Sequence, residues 1–249
     1  MPKLIKTLGE LNILELNGDG NTDDVDVVIA LLKEYMPQYA HYEGRIREIV
    51  KHPYDANPEH YHHVWMAQKG DQRVGMLVFE YLPHRDCGLA MDMAILPEHR
   101  RGDFGQYQRL SEALLLSAVA QLGDDSKVAK RPLPVGLGGE IDYENLLEQY
   151  KKYTFIVCPA RYYEPPDISG EHLAPKTEAE LLEYGFNPMT LGMWPHQAGF
   201  NSIPALDAWE KVVKAFLVEH YHLPEDHVAV QVAIESMRER LNSDTITDT

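Results

Sequence analysis

The sequence has little cysteine and no long apolar run, and these two absences set its first limits. Cys87 and Cys158 are its only cysteines, too few for a disulfide framework, so we expect two buried thiols in a reducing cytoplasm. No stretch approaches the roughly 18 apolar residues that a membrane helix needs. The two lysines in residues 1–10 are not followed by the apolar segment of a secretory signal. The sequence therefore predicts a cytoplasmic protein with no membrane partner.

Basic residues are also scarce. The 249 residues include 23 Lys and Arg against 39 Asp and Glu, a formal net charge of −16. A phosphate backbone needs a basic face, so this balance argues against nucleic-acid binding. It suits a basic acceptor such as an amine, although an acidic surface that only maintains solubility explains it equally well. Hydrophobic residues make up 44% of the chain, as in an ordinary globular protein.

Strand and helix patterns alternate along the first 195 residues. Three apolar runs with short connections, at 63–67, 73–81 and 87–96, predict an antiparallel meander after an earlier strand at 12–16 and a helix capped by Thr22. Later segments predict, in order, a helix at 106–122, a strand at 133–137, a helix at 143–153 and strands at 155–158 and 190–194. The predicted fold class is α/β, with a mixed, mostly antiparallel twisted sheet flanked by helices.

The C-terminal part has a different pattern. Two amphipathic helices are predicted at 205–222 and 224–241, so we assign residues 1–195 to one domain, with an insertion at about 159–186, and residues 196–249 to a helical extension. The apolar stripe of this extension either packs on its own domain, covers the acceptor site or pairs with a second copy in a homo-oligomer.

The segment from Pro97 to Gln106 carries the clearest chemical signal. A strand ends at Pro97, a basic glycine-containing turn follows, and the predicted helix begins at once. Such a turn directs several backbone N–H groups to one point beside the positive end of the helix. Arg100 and Arg101 would add charge-assisted hydrogen bonds to a phosphate. The alternative is a basic turn that binds nothing.

Here the sequence resembles the GNAT superfamily of N-acetyltransferases, which has Arg/Gln-x-x-Gly-x-Gly/Ala between a strand and a helix. The match is the run Arg100-Arg101-Gly102-Asp103-Phe104-Gly105, and the wider resemblance covers about residues 12–194. Asp103 departs from the pattern, since glycine is expected there and a carboxylate repels pyrophosphate. The resemblance implies acetyl-CoA as cosubstrate. Its pantetheine arm would bond the backbone of Met93, Ala94 and Ile95, and its pyrophosphate would bond Arg100, Arg101, Gly102, Asp103, Phe104, Gly105 and Gln106.

The family also has a helix that ends Tyr-x-x-x-Gly-Phe, whose tyrosine protonates the leaving thiolate. Tyr150 stands at the right distance from Phe155 but has Thr154 in place of glycine, whereas Gly185 and its following phenylalanine have Leu181 in place of tyrosine. Thr154 lies 49 residues after Gly105 and Gly185 lies 80 after it. The shorter spacing suits one helix, one strand and another helix, so the resemblance implies Tyr150 as general acid. A packing tyrosine is the alternative.

Attack on a thioester requires a neutral amine, so a base that removes a proton is expected. Asp92, Glu80 and Glu140 are candidates, with Asp92 and Glu140 preferred, and the sequence does not separate them. The predicted reaction is direct acetyl transfer to an amine on a small molecule or a protein. The rival interpretation is a GNAT-fold protein that has lost catalysis and serves in binding or assembly; a third is transfer of a longer acyl chain.

The run from His60 to His63 is the remaining candidate for a ligand site. Its histidines suggest a metal, but alternation along a strand would place His62 and His63 on opposite faces. No metal site is predicted.

Overall fold

The structure is a computed structural model, and it describes residues 2–16, 22–51, 59–142, 144–166 and 174–246. The chain divides into two compact units: Met1–Tyr81 with Ala90–Asp125, called unit 1, and Leu82–Leu89 with Ser126–Thr249, called unit 2. Among the described residues, no helix combines the length and apolar content that crossing a membrane requires.

Unit 1 is built on an antiparallel succession of strands in chain order. They are β1 (Lys3–Leu8), β2 (Leu11–Glu15), β3 (Tyr61–Lys69), β4 (Gln72–Leu82) and β5 (Cys87–Ile95). Leu82 at the end of β4 and Cys87–Leu89 at the start of β5 are counted in unit 2. A separate hairpin, β6 (Arg101–Phe104) with β7 (Tyr107–Arg109), follows β5.

The described part of unit 1 contains, in whole or in large part, the helices α1 (Thr22–Tyr35), α2 (Glu43–Lys51) and α3 (Leu110–Val128). Acids in the first turn of α1 and Lys33 in its last turn complement the helix dipole. Val28 and Leu32 of α1 and Ile46 of α2 are buried in one core with Val64 of β3 and Val78 of β4. Burial of this apolar surface is what holds the helices on the sheet.

Unit 2 is organised around one long strand. Its described residues include the strands β8 (Gly136–Ile141), β9 (Ile156–Val157), β10 (Tyr162–Glu164) and β11 (Asn187–Pro195), and β11 pairs antiparallel with β8, β9 and β10. β8 is also parallel to the start of β5, through the pairs Gly88–Leu137 and Leu89–Gly138.

The helices of unit 2 are α4 (Glu144–Tyr150), α5 (Glu178–Glu183), α6 (Gln197–Phe200), α7 (Ala205–Lys214), which continues as a π-helix (Ala215–His220), and α8 (Val228–Ile246). The apolar stripe of the C-terminal helices, including Trp209, Phe216 and Met237, is buried in the core of this unit with Leu191. A Cβ on Gly138 would lie 2.8 Å from Val212 of α7, so glycine in β8 allows this close packing.

The predicted α/β class, with a mostly antiparallel sheet flanked by helices, is confirmed. The helix predicted at 106–122 instead begins at Leu110 and ends at Val128, because the β6–β7 hairpin occupies residues 101–109. The strand predicted at 133–137 begins later, at Gly136. β10 lies in a stretch expected to be a loop, while Tyr143 and residues 167–173 of the expected insertion lie outside the described residues. The domain boundary at 195 stays a prediction.

Candidate functional site

The expected phosphate turn lies in unit 1, directly after β5. Residues Pro97–His99 form a single 3-10 turn, and the backbone N–H of Leu110 donates to the carbonyl oxygen of Arg100 at 3.3 Å. The β6–β7 hairpin therefore separates the turn from the helix, and the expectation that the helix begins at Gln106 is wrong. Most of the predicted pyrophosphate residues, namely Arg100, Arg101, Gly102, Asp103, Gly105 and Gln106, are exposed, while Phe104 is buried and anchors the hairpin.

Asp103 has a specific partner in this hairpin. Its Oδ1 atom accepts a hydrogen bond of 3.1 Å from the backbone N–H of Gly105, whose φ is +71°. A left-handed φ of this kind favours glycine. The carboxylate thus occupies a backbone donor of the type that a bound phosphate would use.

The end of β5 offers backbone groups on one side. Within unit 1 the strand succession ends at β5, so no other described strand of this unit pairs with the second edge of residues 90–95. Of the predicted pantetheine contacts, Met93 and Ile95 direct their backbone groups to this edge. Ala94 faces β4, because the Leu96 N–H donates to the Val74 carbonyl oxygen and backbone groups alternate along a strand. Backbone groups of an unpaired strand edge pair with extended chains that carry amides.

Two buried carboxylates of unit 1 lie on neighbouring strands. Asp92 of β5 is buried, and burial raises its pKa to about 6 against the opposing charges of Arg45 and His41. Glu80 of β4 is fully buried. Burial acts to raise the pKa of Glu80, but the hydrogen bond from His60, the close approach of His62 and the charge of Arg45 hold it well below its usual range.

In unit 2, Glu140 near the end of β8 lies in a polar cluster that includes two tyrosines. Its Oε1 accepts a hydrogen bond from the hydroxyl of Tyr162, and its Oε2 accepts one of 2.7 Å from Tyr221. The Tyr221 hydroxyl also lies 3.2 Å from Glu164 Oε1. Burial and the negative charge of Glu164 raise the pKa of Glu140 to about 8, although the two tyrosine hydrogen bonds act to lower it.

Tyr150, the predicted general acid, lies at the end of α4 in an aromatic cluster of unit 2. Its ring centroid is 5.1 Å from that of Trp194, in an edge-to-face arrangement, and the ring also approaches Phe155. Burial raises the pKa of its hydroxyl. Thr154, which stands where the family has glycine, has φ of 64° and ψ of 11°. The helix end therefore has the left-handed geometry that glycine usually supplies, in spite of the substitution.

The competing segment has the same type of helix end. Gly185 follows α5 with φ of +83°, and the buried Phe186 comes next. Leu181, where the family would have tyrosine, is fully buried in the apolar core of unit 2. This segment has the turn without a hydroxyl to donate, so Tyr150 stays the predicted acid.

The predicted catalytic residues have different partners within their own units. Asp92 belongs to unit 1, whereas Glu140 and Tyr150 belong to unit 2. Glu140 is bonded by Tyr162 and Tyr221, and neither was predicted. Tyr162 lies in a segment expected to be a loop and Tyr221 follows a helix end, and no motif marks either residue.

No family model and no curated protein matches the chain. Among solved structures, it is similar to an acetyltransferase of the GNAT family from Desulfovibrio desulfuricans, with 15% identity, a TM-score of 0.48, and coverage of 73% of this chain and 96% of that one. It is also similar to RimL, a ribosomal L7/L12 alpha-N-protein acetyltransferase, with 9% identity, a TM-score of 0.47, and coverage of 77% and 93%.

A third similar structure is an acetyltransferase of Bacillus subtilis in complex with CoA. It has 15% identity, a TM-score of 0.41, and coverage of 74% of this chain and 98% of that chain.

Proposed function

We propose that this chain is a divergent GNAT-type acyltransferase that transfers an acetyl group from acetyl-CoA to an amine. The observation that carries the proposal is the end of β5. Residues 90–95 of β5 have one edge that no described strand of unit 1 pairs with, and the turn after this strand contains two exposed arginines. The amides of a pantetheine arm would form hydrogen bonds with the strand edge, and the negative charges of a pyrophosphate would pair with Arg100 and Arg101.

Glu140 supports the chemical step of this proposal. A general base is most effective when its pKa lies near the working pH, and the pKa of Glu140 is about 8. In the proposed reaction the amine nitrogen attacks the thioester carbonyl carbon and loses a proton to Glu140. The C–S bond then breaks and CoA leaves as a thiolate, which takes up a proton. Asp92, with a pKa of about 6, is the second candidate for the base.

Tyr150 is the proposed donor of that last proton, as the resemblance implies. Burial raises the pKa of its hydroxyl, which weakens it as an acid. We therefore expect Tyr150→Phe to lower turnover less than Glu140→Gln does.

The first test is isothermal titration of the purified protein with acetyl-CoA. We expect binding that weakens at least roughly tenfold in the double variant Arg100→Glu with Arg101→Glu, because each lost charge-assisted hydrogen bond costs about 1.5–3 kcal/mol. The matched control reverses two exposed arginines of α8, Arg238→Glu with Arg240→Glu, and should bind as the wild type does. Gly105 is left unchanged because its positive φ would strain any side chain.

A binding or assembly protein without catalysis is the second candidate, and one observation favours it. The carboxylate of Asp103 already accepts the hydrogen bond of the Gly105 N–H, where a phosphate would compete with it. Asp103→Gly removes this competition. If the variant binds acetyl-CoA and the wild type does not, the non-catalytic function gains support; if neither folded protein binds, the acyltransferase proposal fails.

Release of free CoA with a library of amines then tests turnover. Binding of acetyl-CoA without CoA release by any amine would also support the non-catalytic candidate.

A further inference from the structure

We propose that His60, His62 and Glu80 form a binding site for one divalent transition-metal ion, with Zn²⁺ as the best match. The three side chains each offer a ligand atom, and these atoms all lie within 4.8 Å of one another. The site lies wholly in unit 1 and does not depend on the proposed acyl transfer.

The strand register brings the ligands together. His62 of β3 is directly opposite Glu80 of β4, and side chains of such a pair point to the same face of the sheet. His60 stands just before β3 begins, and its ring centroid lies 5.5 Å from that of His62. The two histidines of the proposed site are therefore His60 and His62. His63 follows His62 in the strand, and alternation directs its side chain to the opposite face.

The distances suit a small ion. Glu80 Oε2 lies 3.2 Å from His60 Nδ1 and 2.8 Å from His62 Nδ1. Two ligands of a tetrahedral zinc, each about 2.0–2.2 Å from the metal, are separated by about 3.3 Å. The His60 distance already matches, and the His62 distance needs to widen by only about half an ångström.

Burial of Glu80 adds an independent argument. Its side chain is 1% exposed, while those of His60 and His62 are 26% and 31% exposed. Glu80 Oε1 is buried and has no hydrogen-bond partner in the part of the chain that the structure describes. A buried carboxylate oxygen without a partner is costly, and a metal held by both oxygens of Glu80 would use Oε1 together with Oε2.

Arg45 is the competing cation. Its Nη2 lies 3.5 Å from Glu80 Oε2, longer than either histidine distance and outside the 2.7–2.9 Å of a strong charge-assisted bond. Asp92, whose pKa Arg45 lowers electrostatically, offers this guanidinium a second carboxylate. Arg45 therefore has an alternative partner when a metal takes Glu80.

The test is titration of chelator-treated protein with ZnCl₂ and separately with CoCl₂. We expect one ion per chain by calorimetry, a rise in melting temperature with added zinc, and the visible d–d bands of tetrahedral Co²⁺. His60→Gln and His62→Gln should each weaken zinc binding at least about tenfold, since loss of even an outer-shell partner costs 10–100-fold.

The control variant is His84→Gln, which changes a partly exposed histidine of unit 2 that pairs with Glu219; it should bind zinc as the wild type does. Glu80→Gln is a third variant, with its fold checked by circular dichroism. The proposal is overturned if the wild type takes up no stoichiometric metal, or if folded His60→Gln and His62→Gln variants bind as tightly as the control. The second outcome would leave only histidine–carboxylate ion pairs at this position.

Discussion

Each unit of the molecule contains a buried ionisable centre, and the two centres are stabilised in different ways. In unit 1, His63 lies between Glu15 and Asp125, at 2.6 Å from Glu15 Oε2 and 3.0 Å from Asp125 Oδ2. In unit 2, Glu140 is bonded by two tyrosine hydroxyls, with the carboxylate of Glu164 nearby. The first centre pairs a cation with anions, and the second has no described cation beside its carboxylate.

The His63 centre is fully bonded. A neutral imidazole has a single N–H donor, so two carboxylates on opposite ring nitrogens require the imidazolium. Burial acts to lower the pKa of His63, but the hydrogen bonds and charges of Asp125 and Glu15 raise it to about 9. Glu15 also accepts hydrogen bonds from the Val64 N–H and the Trp65 indole. A network that is satisfied in this way fixes the positions of strands and helix.

The Glu140 centre retains an unfavourable charge. Its pKa of about 8 means that the folded protein disfavours ionisation of this residue by burial and by Glu164. Perturbed carboxylates without a countercharge are typical of sites that bind or react. The comparison assigns His63 to the scaffold and supports the proposal that Glu140 takes part in the chemistry.

The largest effect is expected from removing the cation of the first centre, His63. His63→Gln leaves Glu15 and Asp125 buried with no positive partner between them, and loss of one member of a buried ionic group costs about 3–5 kcal/mol. Urea unfolding at pH 7 measures the change in free energy of unfolding. His84→Gln, in the partly exposed pair with Glu219, should cost less than about 1 kcal/mol. If both variants lose the same free energy of unfolding, His63 has no special role in stabilising the scaffold.

The corresponding change in the second centre should affect activity. Glu140→Gln keeps the size of the side chain but removes the base, so we expect turnover to fall by roughly 100-fold or more, with the free energy of unfolding unchanged or raised. CoA release with a saturating amine measures the rate. Asp92→Asn is the matched variant, and a larger loss there than in Glu140→Gln would transfer the role of base to Asp92.

The pH dependence of stability separates the two centres. Both folded pKa values lie above their unfolded values, so both contributions fall as pH rises. The contribution of His63 to stability is complete below about pH 6.5 and is lost as pH rises through about 9. The contribution of Glu140 to stability falls as pH rises from 4.5, the ordinary pKa of this residue, to about 8, its pKa in the folded protein.

Unfolding curves of wild type and Glu140→Gln across this range give the test. The variant should lose the decline between about pH 4.5 and 8 and keep the one between about pH 6.5 and 9, with the two steps on the order of 5 and 3 kcal/mol respectively. A wild-type stability that does not change with pH between 5 and 9 would contradict both assignments.

The sequence predicted the sheet well because apolar alternation and short turns report directly on strands. The strands around Val64, Val78 and Leu89 and the helix after Thr22 lie where expected. The predicted start of α3 was wrong. The β6–β7 hairpin that precedes this helix is set by strand pairing and by the burial of Phe104 and Tyr107, and no local sequence signal marks where it ends.

The candidate site was less predictable than the fold for a related reason. Glu140 could be proposed from its position after a strand, but its environment depends on Tyr162 and Tyr221, which are distant in sequence. His60 and Glu80 meet only because β3 and β4 pair in one register. Contacts set by register and tertiary packing have no fixed sequence spacing.

The smallest expected effect comes from Glu164, and it tests the cause of the Glu140 shift. Glu164→Gln removes the negative charge that acts with burial to raise the pKa of Glu140, while the amide can still accept the hydrogen bond of Tyr221. The pKa of Glu140 should fall, so more of it is ionised at pH 7, and turnover at that pH should rise a few-fold, within the tenfold that one pKa unit allows. The acidic limb of the pH–rate profile should move to lower pH. A profile that does not move would mean that burial alone sets the pKa of Glu140, and that Glu164 serves only to hold Tyr221 in place.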